Sequence, residues 1–168
     1  MDRMQPWAPG LILSIMIHVA LYQPTIPPNT GNIGRQCVGM KMKLHLIGPL
    51  QMDLSARAVR RAGVNYWHHL DLQLHETPEH FLEWLSSRGI WLITKHGKTR
   101  YDRAAYCDED VLLFGNEQTG LPPAWLERWP DRTVYLPMLG PIRSYNLSNS
   151  AAIVMAQACL TTGAYDTP

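Results

Sequence analysis

Cysteine is scarce in this chain, and the three that occur, Cys37, Cys107 and Cys159, stand far apart. No Cys-x-x-Cys or His-x-x-x-His pairing accompanies them, so the usual ligand spacings are missing and no metal site is expected. An odd, sparse count also speaks against a disulfide framework and suits a reducing, cytoplasmic setting. Charge is thin as well: Asp, Glu, Lys and Arg make up 17% of the residues and the net charge is +1. The molecule as a whole therefore has no cationic excess to advertise nucleic-acid binding. There is no Gly-x-Gly-x-x-Gly fingerprint and no Gly-Lys-Ser/Thr loop, which weakens nicotinamide and ATP readings. Repeats, low-complexity segments and long linkers are missing too. The apolar stretch from Leu11 to Leu21 is interrupted by Ser14 and His18. It is too short to span a bilayer, and no small-residue cleavage site follows it before Tyr22-Gln23-Pro24. No membrane partner is expected.

What is there suits one domain: 168 residues are enough for a sizeable core. Residues 1–15 read as an N-terminal extension and 16–168 as the compact domain, with Met16 a natural start. The few charges are unevenly spread. Arg35, Lys41, Lys43, Arg57, Arg60 and Arg61 face a single acid, Asp53, and Lys95, Lys98, Arg100 and Arg103 form a second basic cluster. A basic face on a neutral protein is compatible with RNA, and equally with an ordinary solvated surface.

Strand-like runs alternate with helical ones. Strands are expected at Ile17–Tyr22, Leu44–Ile47, Tyr66–Leu70, Ile90–Thr94, Val111–Phe114 and Thr133–Leu136. In a strand at Tyr66–Leu70 the neighbours His68 and His69 would point to opposite faces. Helices are expected at Asn29–Met40, at Leu54–Arg61 with a basic face, from the Thr77-Pro78-Glu79 cap to Gly89, at Pro122–Trp129 and at Ser150–Leu160. The last run is apolar nearly all round, so it must be buried on more than one side. Such alternation means an α/β fold with a largely parallel sheet flanked by helices. In these sheets ligands sit beyond the carboxyl ends of strands, so the residues that follow strands carry the information.

Three such stretches stand out. Asn29-Thr30-Gly31-Asn32-Ile33-Gly34-Arg35 follows the first strand, and its two glycines thin one side of a helix for close approach. Phe114-Gly115-Asn116-Glu117-Gln118-Thr119-Gly120-Leu121 runs from a buried strand into a glycine-bearing loop whose backbone N–H groups are candidates for ligand binding. Leu136-Pro137-Met138, then Arg143-Ser144-Tyr145-Asn146-Leu147-Ser148-Asn149, crowds polar groups against an apolar helix. Each also fits a plain structural role: a helix cap for the last, a capped helix with a surface Arg for the first.

Together and in this order, the three resemble the motifs of the SPOUT class of RNA methyltransferases. The similarity is to the branch that methylates the ribose 2′-hydroxyl of the tRNA wobble nucleotide (the TrmL type), and it runs from about Met16 to Gly163. The resemblance implies a SPOUT fold with a C-terminal trefoil knot, S-adenosyl-L-methionine as cofactor, a homodimer with each active site completed near the interface, and tRNA, through its anticodon stem-loop, as partner. It places cofactor contacts on Ile93, Gly115, Leu136 and Ser144, and catalytic roles on Arg35, Glu117, Ser144 and Asn146. Ala156-Gln157 departs from the Tyr-Glu of many relatives, Leu136 stands for Ile, and Gly34 occupies a position where an apolar residue is common. The mechanism this implies is chiefly placement of the ribose oxygen. A guanidinium keeps its proton, so Arg35 is expected to bind the adjacent phosphate and lower the hydroxyl's pKa rather than act as base. Glu117 has a structural alternative, pinning its loop by accepting backbone N–H bonds. Two other readings compete: a non-catalytic RNA-binding module of this fold, or methylation of another RNA. An unrelated nucleotide-binding enzyme lacks its fingerprint.

Overall fold

The computed structural model describes residues 15–51 and 66–166. Residues 1–14 of the expected extension, the expected helix Leu54–Arg61 and the basic residues Arg57, Arg60 and Arg61 lie outside them. Among the described residues seven strands form one sheet: β1 (His18–Tyr22), β2 (Lys43–Ile47), β3 (Leu72–His75), β4 (Ile90–Ile93), β5 (Thr99–Arg100), β6 (Val111–Phe114) and β7 (Thr133–Tyr135). Their order is β3-β2-β1-β6-β4-β7-β5, and every neighbouring pair is parallel. Four α-helices among the described residues cover it: α1 (Pro27–Gly39), α2 (Pro78–Leu85), α3 (Pro123–Arg128) and α4 (Leu147–Thr162). Among the described residues no helix is long and apolar enough to cross a membrane.

Period-two alternation splits the core. Val19, Leu21, Leu44, Leu46, Leu112 and Phe114 point to one face, where Ile33 and Cys37 of α1 and Ala151, Val154, Met155 and Ala158 of α4 meet them. Ala20, Ile47, Leu92, Val111 and Leu113 point to the other, under Phe81 and Leu85 of α2 and Trp125 of α3. With both faces covered, the central strands read as continuous apolar runs.

Several expectations need correction. Tyr66–Leu70 is no strand: Trp67–His69 is a 3-10 turn, and the strand is Leu72–His75. The strand forms where Leu72–His75 pairs in parallel with β2 and buries His75, while Trp67 and Leu70 instead lie against Gly34 of α1. His68 and His69 accordingly do not point apart; their rings sit 3.9 Å from each other. The last helix starts at Leu147, because Asn146 and not a later residue caps it. Within one chain it buries a single stripe and leaves Ile153 and Leu160 exposed. The short β5 was not expected; two residues carry no period. The second basic cluster is partly neutralised, since Lys98 pairs with Asp131 and Arg100 with Asp102.

Candidate functional site

Strands β1, β6, β4 and β7 are neighbours and run the same way, so the loops after all four rise at one edge of the sheet. To one side of β1 the chain builds outward through β2 and β3; the remaining strands lie on the other side. Loops diverge at such a reversal and leave a crevice. A cavity of about 660 Å³ opens there, within the range of small-molecule sites. Ile93 ends β4 on its wall, Gly115 and Glu117 follow β6, and Leu136, Ser144 and Asn146 follow β7. Six of the seven expected site residues thus meet in one cavity.

Arg35 does not. It stands exposed on α1, outside the cavity wall, with its guanidinium 4.9 Å from the centre of the Tyr66 ring. The same helix reaches the cavity through Asn29, two turns earlier.

One hydrogen-bond relay ties the three stretches together. Asn146 Oδ1 caps α4, accepting from the Ser148 amide at 2.9 Å and the Ser148 hydroxyl at 2.7 Å. Its amide nitrogen donates to Asn29 Oδ1 at 3.0 Å. Asn29 in turn donates to Glu117 at 3.1 Å. The Glu117 carboxylate also accepts from the Thr25 amide at 2.9 Å, the Thr25 hydroxyl at 3.1 Å and the Ile26 amide at 3.2 Å. Burial alone would push this carboxyl up, but the donors from Thr25 and Asn29 outweigh it and hold it below the usual glutamate value. All four partners donate, which suits a carboxylate and no other side chain of that size.

The loop after β6 is not a bare cradle of N–H groups. Asn116 and Gly120 exchange N–H···O bonds of 3.1 and 2.8 Å. The amides of Gln118 and Thr119 donate to Asn116 Oδ1. Four amides of this loop are therefore satisfied internally. Gly115 is required by the loop itself: a Cβ there would lie 2.5 Å from the Gly120 carbonyl carbon and 2.6 Å from the Leu121 nitrogen.

The cavity combines an apolar side (Ile93, Leu121, Leu136, Met138) with polar groups from Thr94, Ser144 and Arg143. Ser144 makes no side-chain hydrogen bond among the described residues, so its hydroxyl is free to serve a ligand. An apolar slot with a polar rim fits S-adenosylmethionine, whose adenine needs the first and whose amino-acid end needs the second. Sequence reasoning gave no site role to Asn29, Thr25 or Arg143. Asn29 and Arg143 lie inside quoted motifs and were findable; Thr25 carries no local signal, because its partner is 92 residues away. Among the described residues no group of three or more His, Cys, Asp or Glu side chains is placed to hold a metal ion.

A sequence model of the SpoU rRNA Methylase family matches residues 16–156. A tRNA (cytidine(34)-2′-O)-methyltransferase of Methylovorus glucosotrophus is 40% identical over 144 residues, covering 85% of this chain and 94% of the relative. A structure described as giving insights into the 2-OH methylation of C/U34 on tRNA superposes with a TM-score of 0.82 at 38% identity, covering 88% of this chain and 97% of that one. The SpoU methyltransferase AviRb of Streptomyces viridochromogenes, in complex with AdoMet, gives a TM-score of 0.72 at 25% identity over 86% of this chain and 60% of AviRb.

Proposed function

The chain belongs to the SpoU rRNA methylase family, and from that premise we propose that it methylates the ribose 2′-hydroxyl of the wobble nucleotide, cytidine or uridine 34, in tRNA. The observation that carries this reading is the joining of all three motif stretches around one cavity by the Asn146–Asn29–Glu117 relay. The 40% identical relative bearing that activity in its name supports the substrate.

When bound, S-adenosylmethionine supplies the methyl group as an electrophile. Ile93, Leu136 and the backbone at Gly115 would hold it, with Ser144 as the polar contact. Asn146 and Glu117, whose polar atoms are engaged within the protein, position the loops rather than touch the reacting atoms. Arg35 grips the phosphate beside the reacting nucleotide and favours the ionised 2′-oxygen, keeping its own proton throughout. Arg35 lies outside its own chain's cavity, which supports a homodimer whose partner chain helps complete each site. The exposed Ile153 and Leu160 of α4 supply an apolar face for it. A trefoil knot threading the loop after β7, and action in the cytoplasm on the anticodon stem-loop, belong to the same reading.

The test is methyl transfer from labelled cofactor to a tRNA anticodon stem-loop, followed by mapping of the modified ribose. Label at the 2′-oxygen of nucleotide 34 is expected. Arg35→Ala should cut the single-turnover rate about tenfold to a hundredfold, the worth of a charge-assisted hydrogen bond, and leave cofactor affinity unchanged. No transfer to tRNA, or transfer only to another RNA, sinks the reading.

A further inference from the structure

Arg35 is an exposed arginine on a helix, and such a side chain samples many rotamers unless something holds it. Among the described residues no carboxylate pairs with it, whereas Lys43, Arg88, Lys98 and Arg100 each have an acidic partner. Its contact is the face of Tyr66. An aromatic face attracts the flat of a guanidinium, and the Arg35 side chain also hydrogen-bonds to the Tyr66 hydroxyl, so the two are held together at two points. A carboxylate would occupy the remaining N–H groups and compete with a phosphate.

Tyr66 is itself bolted to the helix it serves. Its hydroxyl donates to the carbonyl oxygen of Gly31, one turn before Arg35. Burial, opposed by the nearby Arg35, pushes the phenol up, so it keeps the proton it donates. Gly34 eases the docking. A Cβ at Gly34 would stand 3.2 Å from Leu70 and 3.3 Å from the Trp67 ring, closer than ordinary contact, whereas one at Gly31 would stay 3.8 Å from the Tyr66 oxygen. The unusual glycine before Arg35 is thus the seat for the Tyr66–Leu70 turn.

We propose that Tyr66 is the positioning residue for Arg35: its ring fixes the direction of the guanidinium, and its hydroxyl fixes the ring to α1, so that the remaining N–H groups of Arg35 are presented to an RNA phosphate. This rests on the reading of Arg35 as the phosphate-binding residue. Tyr66 touches Arg35 and not the reacting atoms, so its effect runs through Arg35.

The experiment uses the full chain, a tRNA anticodon stem-loop and single-turnover kinetics. Tyr66→Leu should slow methyl transfer roughly threefold to thirtyfold, the span of cation–π contacts from exposed to desolvated settings, with cofactor affinity unchanged. Tyr66→Phe keeps the ring and should restore most of the rate. Progressively fluorinated phenylalanines at position 66 keep its size while emptying the ring face, so the rate should fall along the series even if Tyr66→Leu fails to fold. In an Arg35→Ala background the same substitutions should have no further effect. A rate indifferent to fluorination, or equal losses with and without Arg35, overturns the proposal for Tyr66 alone. An Arg35→Ala protein with full single-turnover activity removes the phosphate reading and this inference with it.

Discussion

At the scale of the residue, positions that a motif marks together do different work. Gly115 admits the backbone of Gly120 and Leu121; Glu117 collects donors from Thr25, Ile26 and Asn29; Ser144, with no side-chain hydrogen bond among the described residues, offers its hydroxyl to the cavity. For Gly115 this changes the expected result of substitution. A methyl group would already strike main-chain atoms that cannot rotate away, so Gly115→Ala should be enough and no bulky residue is needed. The expected cost is about 1–3 kcal/mol, typical of overpacking, read by denaturant unfolding. Calorimetry should find S-adenosylmethionine affinity reduced at least about tenfold, because the loop that walls the cavity must shift. Wild-type affinity in Gly115→Ala would contradict the loop-closing role.

At the scale of the element, strands β1, β2 and β3 share a feature outside the motifs. His18, His45 and His75 lie diagonally across the three strands on the face covered by Trp84. His18 Nδ1 and His45 Nε2 are 3.0 Å apart, as are His45 Nδ1 and His75 Nε2, and His18 Nε2 lies 3.3 Å from Glu109. One tautomer, with the hydrogen on Nε2 of all three rings, satisfies every bond. A second proton on His45 would set donor against donor. Burial, then the neighbouring His18 and His75, push His45 down to about 2, and burial lowers His18 and His75 too. These groups are neutral in the fold and take up protons on unfolding. Their stabilisation is complete above the ordinary histidine value of 6.5 and is lost as pH falls from there toward the folded values. Between about pH 7.5 and about pH 5.5, His45 alone should remove about 1.4 kcal/mol. Urea unfolding at the two pH values measures this, and His45→Leu should flatten the difference. Unchanged wild-type stability across that window would refute the neutral chain.

At the scale of the whole molecule, the single chain looks unfinished at one place. Helix α4 buries Ala151, Val154, Met155 and Ala158 against the sheet and α1, yet Leu160 keeps 65% of its surface exposed. The loop before α4 leaves Leu139 and Ile142 exposed as well. These apolar residues fit a contact with a second copy of the chain. Light scattering in dilute solution should give twice the chain mass of 19.1 kDa, and Leu160→Glu with Ile153→Asp should give the single mass and abolish methyl transfer. A wild-type monomer with full activity would remove the dimer from the proposal.

Much of the fold was legible because its causes are local. The unbroken apolar runs Val19–Leu21 and Val111–Phe114 mark strands buried on both faces, a signal that a few residues declare by themselves. The Thr77-Pro78 cap and the strand-to-loop punctuation at Gly115 are equally local, so strands, helices and a parallel sheet followed from the chain read alone. The stretches bearing the site were legible for the same reason: each follows a strand. Tyr66–Leu70 misled because its apolar and aromatic content reads as a strand, while its conformation answers to Gly34, more than thirty residues earlier in the chain. The roles inside the site were also settled at long range. Asn146 finds Asn29 across 117 residues, and Glu117 finds Thr25 across 92. Nothing in a carboxylate's neighbours along the chain says whether its lone pairs will meet protein donors or a substrate. The tertiary packing decided that by consuming both oxygens of Glu117 within the protein and by setting Arg35, which has no carboxylate partner among the described residues, against Tyr66.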